Sequence, residues 1–223
     1  MELLTALALM TAFVFFFHKA LKAYPAVFYL AAIALAAGYL YYRFFCDYDP
    51  FLQTIMVYIQ RGLFAFALFV AVMYIGILPD SSKLYKSLMP VRSELSIVAC
   101  ILILGHMIGY LTGYLASFQV GVLAMKPNIL MALVIAVLLT VLVAILGITS
   151  FKRIRMRMRP KVWKRIQRWA YVFFALVFMH LGLFLIPAAL SGSKVWIQTV
   201  VYLILFVAYV VLRIRKDRKK GRV

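Results

Sequence analysis

The sequence predicts an all-α fold, a polytopic transmembrane bundle of seven helices that forms one integral membrane domain over residues 1–223. Hydrophobic residues make up 67% of the chain, charged residues make up 14%, and the mean hydropathy is +1.02. Such values are typical of proteins that cross the bilayer several times. No segment shows the alternation of apolar and polar residues that the strands of a transmembrane barrel require.

Seven apolar stretches account for the seven predicted helices. Each is close to the roughly 20 residues that a helix needs to cross the hydrocarbon core, and the first is the shortest. Gln60 and Arg61 interrupt the third stretch, which indicates an interfacial lead-in before that span. The predicted spans are residues 3–17, 25–45, 51–78, 95–116, 129–150, 169–188 and 195–212.

Basic residues collect in every second connecting segment. The segments at 18–24, 80–92 and 152–168 and the tail from Arg213 hold 21 of the 25 Lys and Arg residues. Because cytoplasmic loops carry the excess of basic residues, we predict an outside N-terminus and a cytoplasmic C-terminus, in a bacterial-type inner membrane. This topology and an attraction of residues 153–159 to anionic lipids account for most of the +19 net charge without a nucleic acid partner.

Two histidines lie inside predicted spans, His106 in the fourth and His180 in the sixth. An imidazole without a partner is costly in hydrocarbon, so intramembrane histidines usually serve as relays, ligands or hydrogen-bonded packing residues. At a rise of 1.5 Å per residue, His106 lies roughly 20 Å and His180 roughly 17 Å from the cytoplasmic ends of their helices. Both histidines are therefore predicted in the outer half of the bilayer.

Two histidines at one depth favour a b-type haem. Axial ligation of haem iron needs only such a pair and a planar apolar slot. We therefore predict one haem b with His106 and His180 as its iron ligands, with Gly105 and Gly109 beside the cofactor and Arg61 near a propionate. The alternatives are that each histidine is a hydrogen-bonded packing residue and that Arg61 extends its side chain towards the interface.

Several short motifs together resemble the ferric reductase-like transmembrane domain family over roughly residues 60–215. The first motif is Arg92, Leu95, His106 and Tyr110, with Ser93 and Ser96 where a second Arg and a Gly are usual; the second is Thr149-Ser150, Trp163, residues 166–171 and His180. Within the family, the chain is similar to the haem-binding membrane subunit of the periplasmic methionine-sulfoxide reductase system. The resemblance implies a haem-binding core of six helices, an additional N-terminal helix and an extracytoplasmic redox protein as partner.

Gln167 stands where the resemblance implies an inner histidine. Glutamine is a poor haem ligand, so the chain is expected to hold one haem rather than two. His18 lies at the inner end of the first span, at a different depth from the other two histidines. Packing at the interface is its expected role, and hydrogen bonding to a quinone is the alternative.

These features predict an electron-transfer subunit of an oxidoreductase system rather than a complete enzyme. The chain has no G-x-G-x-x-G, P-loop or hydrolase motif, and its tail is too short for a flavin or nicotinamide domain. The expected electron donor is a membrane quinol, which Tyr24, His18 or Tyr85 would bind, or a cytosolic flavin reductase; FMN is a weaker cofactor candidate. A haem-free transporter-like or scaffold bundle and a self-sufficient metal or quinone reductase are the alternatives.

Overall fold

The computed structural model describes residues 2–120, 126–193 and 195–220, and every regular element in these ranges is a helix. Seven helical segments of the described chain are long and apolar enough to cross a membrane. The predicted all-α, seven-helix fold is therefore confirmed, and the protein is a multi-pass membrane protein. The chain divides into two compact units, residues 1–119 and 120–223, while the assignment of all 223 residues to one domain stays a prediction.

The first unit is built around a buried helix. Its helices are α1 (Glu2–Ala23), α2 (Pro25–Phe45), α3 (Pro50–Gln60), α4 (Leu63–Ile75), α5 (Lys83–Leu88) and α6 (Arg92–Val120), with a 3-10 turn, Met89–Val91, before α6. Ten of the thirteen residues of α4 are buried, because α1 and α3 pack against it. The core of this unit is therefore the α4 segment, which is apolar on all sides.

Capping groups fix several helix ends in the first unit. The side chain of Asp49 accepts the N–H of Leu52 at 2.9 Å, and Pro50 occupies the first position of α3, where its missing N–H costs nothing. In the last turn of α4, the carbonyl of Val72 accepts a hydrogen bond of 2.8 Å from the Nε of Arg92. A guanidinium is favourable there because the last carbonyls of a helix carry partial negative charge.

The second unit contains five helices in its described residues. They are α7 (Pro127–Ser150), α8 (Lys152–Arg157), α9 (Pro160–Gln167), α10 (Trp169–Leu190) and α11 (Trp196–Lys220). Helix α10 packs against both α7 and α11. Aromatic rings fill its contact with α11, where Phe178 lies 4.7 Å from Phe206 and Phe174 lies 5.0 Å from Tyr209, measured between ring centroids. Such offset and edge-on pairs stabilise helix packing beyond the area they bury.

Several predicted boundaries differ from the structure, and the seventh span, expected to end at residue 212, continues as α11 to Lys220. The first span was expected to end at residue 17, but α1 continues to Ala23, because no helix breaker occurs before Pro25 and Leu21 finds a buried position. The third span is broken into α3 and α4 at Gly62, which has a φ of 66°. The basic segment at 152–168 is not a plain loop, since it forms α8 and α9.

Candidate functional site

The imidazole of His106 is oriented by a backbone carbonyl. Its Nδ1 atom lies 2.6 Å from the carbonyl oxygen of Gln60, and its ring packs against Tyr110 with centroids 4.9 Å apart. A carbonyl can only accept, so the proton is on Nδ1 and the lone pair is on Nε2. This is the tautomer of a histidine that binds a metal through Nε2.

The carbonyl of Gln60, which accepts from His106, lies where the chain leaves helical geometry between α3 and α4. Gly62 adopts a left-handed conformation with φ 66° and ψ 19°, which a glycine tolerates without steric cost. The side chain of Gln60 is also held, because it accepts a hydrogen bond of 2.8 Å from Gln53. The first unit thus places a fixed carbonyl beside the histidine.

His180 has the same arrangement inside the second unit. Its Nδ1 lies 3.0 Å from the carbonyl oxygen of Ala132 in α7, and its ring contacts Phe184 with centroids 5.3 Å apart. A second bond runs in the opposite direction, from the Asn128 side chain to the carbonyl of Leu183 at 3.1 Å. These two hydrogen bonds fix α10 against α7, and they leave the lone pair of His180 on Nε2.

The donor set of the two histidines fits haem. The described residues contain no group of three or more His, Cys, Asp or Glu side chains that could hold a metal ion. Haem asks less of the protein, because the porphyrin supplies four nitrogens and the protein supplies only the axial ligands. His106 and His180 belong to different units, and their joint ligation stays a prediction.

Gly105 and Gly109 lie against protein side chains in the first unit. A Cβ atom at Gly105 would lie 3.0 Å from Ile59, and one at Gly109 would lie 2.5 Å from the Tyr39 hydroxyl. Both glycines therefore let α6 approach its neighbours closely, and their place beside a cofactor stays a prediction. The buried Tyr39 hydroxyl has no hydrogen-bond partner among the described residues.

Arg61 has a carboxylate partner within the first unit. Its Nη1 forms an ion pair with the Glu2 side chain at the start of α1. Both side chains are partly exposed, 52% for Arg61 and 36% for Glu2, so solvent screens the pair. The structure thus supplies a structural role for Arg61, while its predicted contact with a haem propionate remains untested.

Gln167 takes part in a hydrogen-bonded cluster with Thr149 and Trp163. Its Nε2 donates to Thr149 Oγ1 at 3.0 Å, and the indole N–H of Trp163 donates to the Thr149 carbonyl at 3.0 Å. Thr149 Oγ1 in turn donates to the carbonyl of Ile145 at 2.7 Å. The cluster joins α9 to the end of α7, and it gives three residues of the second sequence motif a common structural role.

His18 joins α1 to α5. Its Nδ1 donates to the Phe15 carbonyl at 2.8 Å, and its Nε2 accepts from the Ser87 hydroxyl at 2.8 Å. Both ring nitrogens are thus used in packing contacts, as expected for the interfacial role. A quinone at His18 would have to displace Ser87.

Sequence reasoning missed two residues of the site, Gly62 and Asn128. Gly62 had a signal, since it follows Gln60 and Arg61 in an otherwise apolar stretch and an isolated glycine there marks a possible break. Asn128 directly precedes the predicted fifth span, residues 129–150. Its bond to the Leu183 carbonyl has no sequence signal, because the acceptor is a backbone atom on another helix.

Two comparisons with known proteins give matches. The profile of the family described as "Ferric reductase like transmembrane component" matches residues 61–178, which is more than half of the chain. The match includes His106 and Gln167 and ends two residues before His180. An uncharacterized protein of Treponema pallidum (strain Nichols) is 33% identical over 209 residues, covering 92% of this chain and 58% of that protein. No solved structure matches the chain significantly.

Proposed function

We propose, from the premise that this chain belongs to the ferric reductase-like transmembrane family, that it is a membrane electron-transfer subunit with one bis-histidine haem b. Members of this family commonly bind haem. We assign the haem-binding core to residues 60–215 and the iron ligands to His106 and His180. The family match begins at Arg61, so α1, α2 and α3 precede it.

One observation supports this assignment above the others. In each unit the histidine inside a long apolar helix donates its Nδ1 proton to a backbone carbonyl, of Gln60 for His106 and of Ala132 for His180. This tautomer is the one that an iron ligand requires, because it leaves the lone pair on Nε2; His18 shares it through the Phe15 carbonyl, but its Nε2 already accepts from Ser87. Both histidines inside long apolar helices therefore have the tautomer that ligation requires, at positions within membrane-spanning helices.

The residues of the chain would hold, orient and insulate the group. His106 and His180 would bind through Nε2, the carbonyls of Gln60 and Ala132 orient the two rings, and Tyr110 and Phe184 pack against them. Haem, when bound, supplies one-electron chemistry that amino-acid side chains lack. Because Gln167 is held by Thr149 and is a poor ligand for iron, one haem per chain is expected.

The proposed partners follow from the predicted depth of His106 and His180 in the bilayer and from the resemblance of the sequence motifs. A membrane quinol is the proposed donor, and an extracytoplasmic redox protein is the proposed acceptor, as for the haem-binding subunit of the periplasmic methionine-sulfoxide reductase system. The proposed location is a bacterial-type inner membrane. The chain matches only 58% of the length of the Treponema pallidum relative. The activity of that longer protein therefore does not bear on these assignments.

The haem assignment is tested with four single substitutions in the full chain. His106→Ala and His180→Ala should each abolish the low-spin haem spectrum of the purified protein, because each removes one axial ligand. His18→Ala and Gln167→Ala are matched controls and should retain the spectrum at one haem per chain. A haem-free wild type would favour a transporter-like or scaffold role, and two haems per chain would contradict the assignment of Gln167.

A further inference from the structure

The break between α3 and α4 does more than bend a helix, because it supplies the group that orients His106. We propose that the left-handed conformation of Gly62 is a positioning device for the His106 imidazole, and that it tunes the haem affinity and midpoint potential of the centre. Gly62 acts through Gln60 and His106, so it is a positioning residue rather than a catalytic one. The inference rests on the proposed function, since it takes His106 as an iron ligand.

The first step of the argument is the hydrogen bonding at the break. In an uninterrupted helix the carbonyl of Gln60 would accept the N–H of Phe64, four residues later. At the left-handed Gly62 that ladder stops, and the N–H of Gly62 instead bonds the carbonyl of Ile59 at 2.9 Å. The carbonyl of Gln60 is thereby available to His106, whose Nδ1 lies 2.6 Å away.

The second step is the space at Gly62. A Cβ atom there would lie 2.9 Å from Cδ1 of Ile103, so the end of that side chain would have to shift, and 3.4 Å from Cγ of His106, at the short limit of van der Waals contact. Tyr58 and Phe64 stack across the break with centroids 4.9 Å apart and planes inclined by 12°. A side chain at position 62 would therefore displace the end of Ile103 and lie against the His106 ring.

The third step is the effect on a ligand. A carbonyl that accepts the Nδ1 proton fixes the ring orientation and makes Nε2 more basic, and loss of such a partner typically costs 10- to 100-fold in metal affinity. A more basic axial ligand stabilises the more highly charged iron and so lowers the midpoint potential. Closing the break should therefore weaken haem binding and raise the potential.

The test uses a matched pair of variants in an Ile103→Val parent, in which the closest contact atom is absent. Gly62→Ala and Gly62→Asn add the same Cβ, but Asn adopts the left-handed conformation far more readily than Ala. We expect the Asn variant to keep the haem affinity and midpoint potential of the parent. The Ala variant should bind haem about 10- to 100-fold more weakly and have a higher potential.

A second glycine provides the strain control. Gly192 also has a positive φ, 81°, but a Cβ there would meet no atom within 4 Å, so Gly192→Ala should change neither quantity. Equal affinity and potential in the Ala and Asn variants at Gly62 would overturn the inference and leave the proposed function intact. A parent without haem would refute the proposed function itself, and the inference with it.

A spectroscopic measurement covers the case in which the Ala variant does not fold. Pulsed electron paramagnetic resonance of the oxidised parent, with isotope-labelled histidine, reports the Nδ1–H hydrogen bond of each axial ligand. The distances of 2.6 Å at His106 and 3.0 Å at His180 predict one stronger and one weaker bond. A His106 ligand without a strong Nδ1–H bond would overturn the inference.

Discussion

Two roles for Arg61 can be distinguished by experiment, namely its ion pair with Glu2 and its predicted contact with a haem propionate. Because both side chains are partly exposed, a double-mutant cycle with Arg61→Ala and Glu2→Ala should give a coupling energy within about 1 kcal/mol. Stability is measured by titration with sodium dodecyl sulfate in mixed micelles. The two single variants should behave alike and leave the haem midpoint potential unchanged, whereas a shift with Arg61→Ala alone would assign Arg61 to a propionate.

The individual residues show what sequence can and cannot reveal about the site. His106 and His180 were predicted as site residues because an imidazole in an apolar helix needs a partner, and the structure gives both of them partners within their units. The partners themselves were not predictable, since the acceptors are the backbone carbonyls of Gln60 and Ala132. A backbone acceptor depends on helix geometry and packing rather than on residue type.

Among the helices, the contact of α9 with α7 gives a direct test of Gln167. Gln167→Ala and Thr149→Val each remove one partner of the 3.0 Å bond between them. A double-mutant cycle should give a coupling of about 0.5–1.5 kcal/mol in the free energy of unfolding, which is the usual net value of one hydrogen bond. A coupling near zero would show that the bond does not form in the membrane.

Trp163 provides the matched control for that cycle. Trp163→Phe removes the indole N–H that bonds the Thr149 carbonyl, but it leaves the Gln167 side chain and Thr149 Oγ1 in place. Its coupling with Gln167→Ala should therefore be smaller than the coupling of Gln167 with Thr149. Equal couplings would mean that α9 moves as a whole when any one contact is lost.

For the helices, composition predicts that a membrane span exists more reliably than it predicts where the span begins and ends. Length and hydropathy were sufficient for seven spans, because backbone groups in lipid must bond within a helix. The interruption near Gln60 and Arg61 was predicted, but the left-handed conformation of Gly62 and the two short helices within 152–168 were not, since they depend on packing and on single residues. The end of α1 was also predicted too early, because its last turn is helical although it carries Lys22.

For the whole molecule, the distribution of charge makes a prediction about topology. Since 21 of the 25 basic residues fall in alternate segments, residue 2 should face outside and residue 220 the cytoplasm. Single cysteines at these positions, in a background with Cys46→Ser and Cys100→Ala, are labelled with an impermeant maleimide on intact and opened cells. Labelling of both ends from the same side would contradict an odd number of membrane spans.

The source of the electrons is the last property that belongs to the whole molecule. His106 lies 13 residues beyond Ser93 in α6, so a cytosolic flavin would be about 20 Å of helix away, and Gln167 supplies no inner iron ligand to shorten that distance. We therefore expect a membrane quinol to reduce the protein faster than a cytosolic flavin reductase does.

The oxidised protein is mixed with a menaquinol analogue or, separately, with flavin reductase and nicotinamide cofactor, and haem absorbance reports the rate. The His18→Ala variant should keep the quinol rate if His18 acts only in packing, through its bonds to Phe15 and Ser87. Rapid reduction by the flavin system in the rigorous absence of quinone would instead require an additional carrier on the cytoplasmic side.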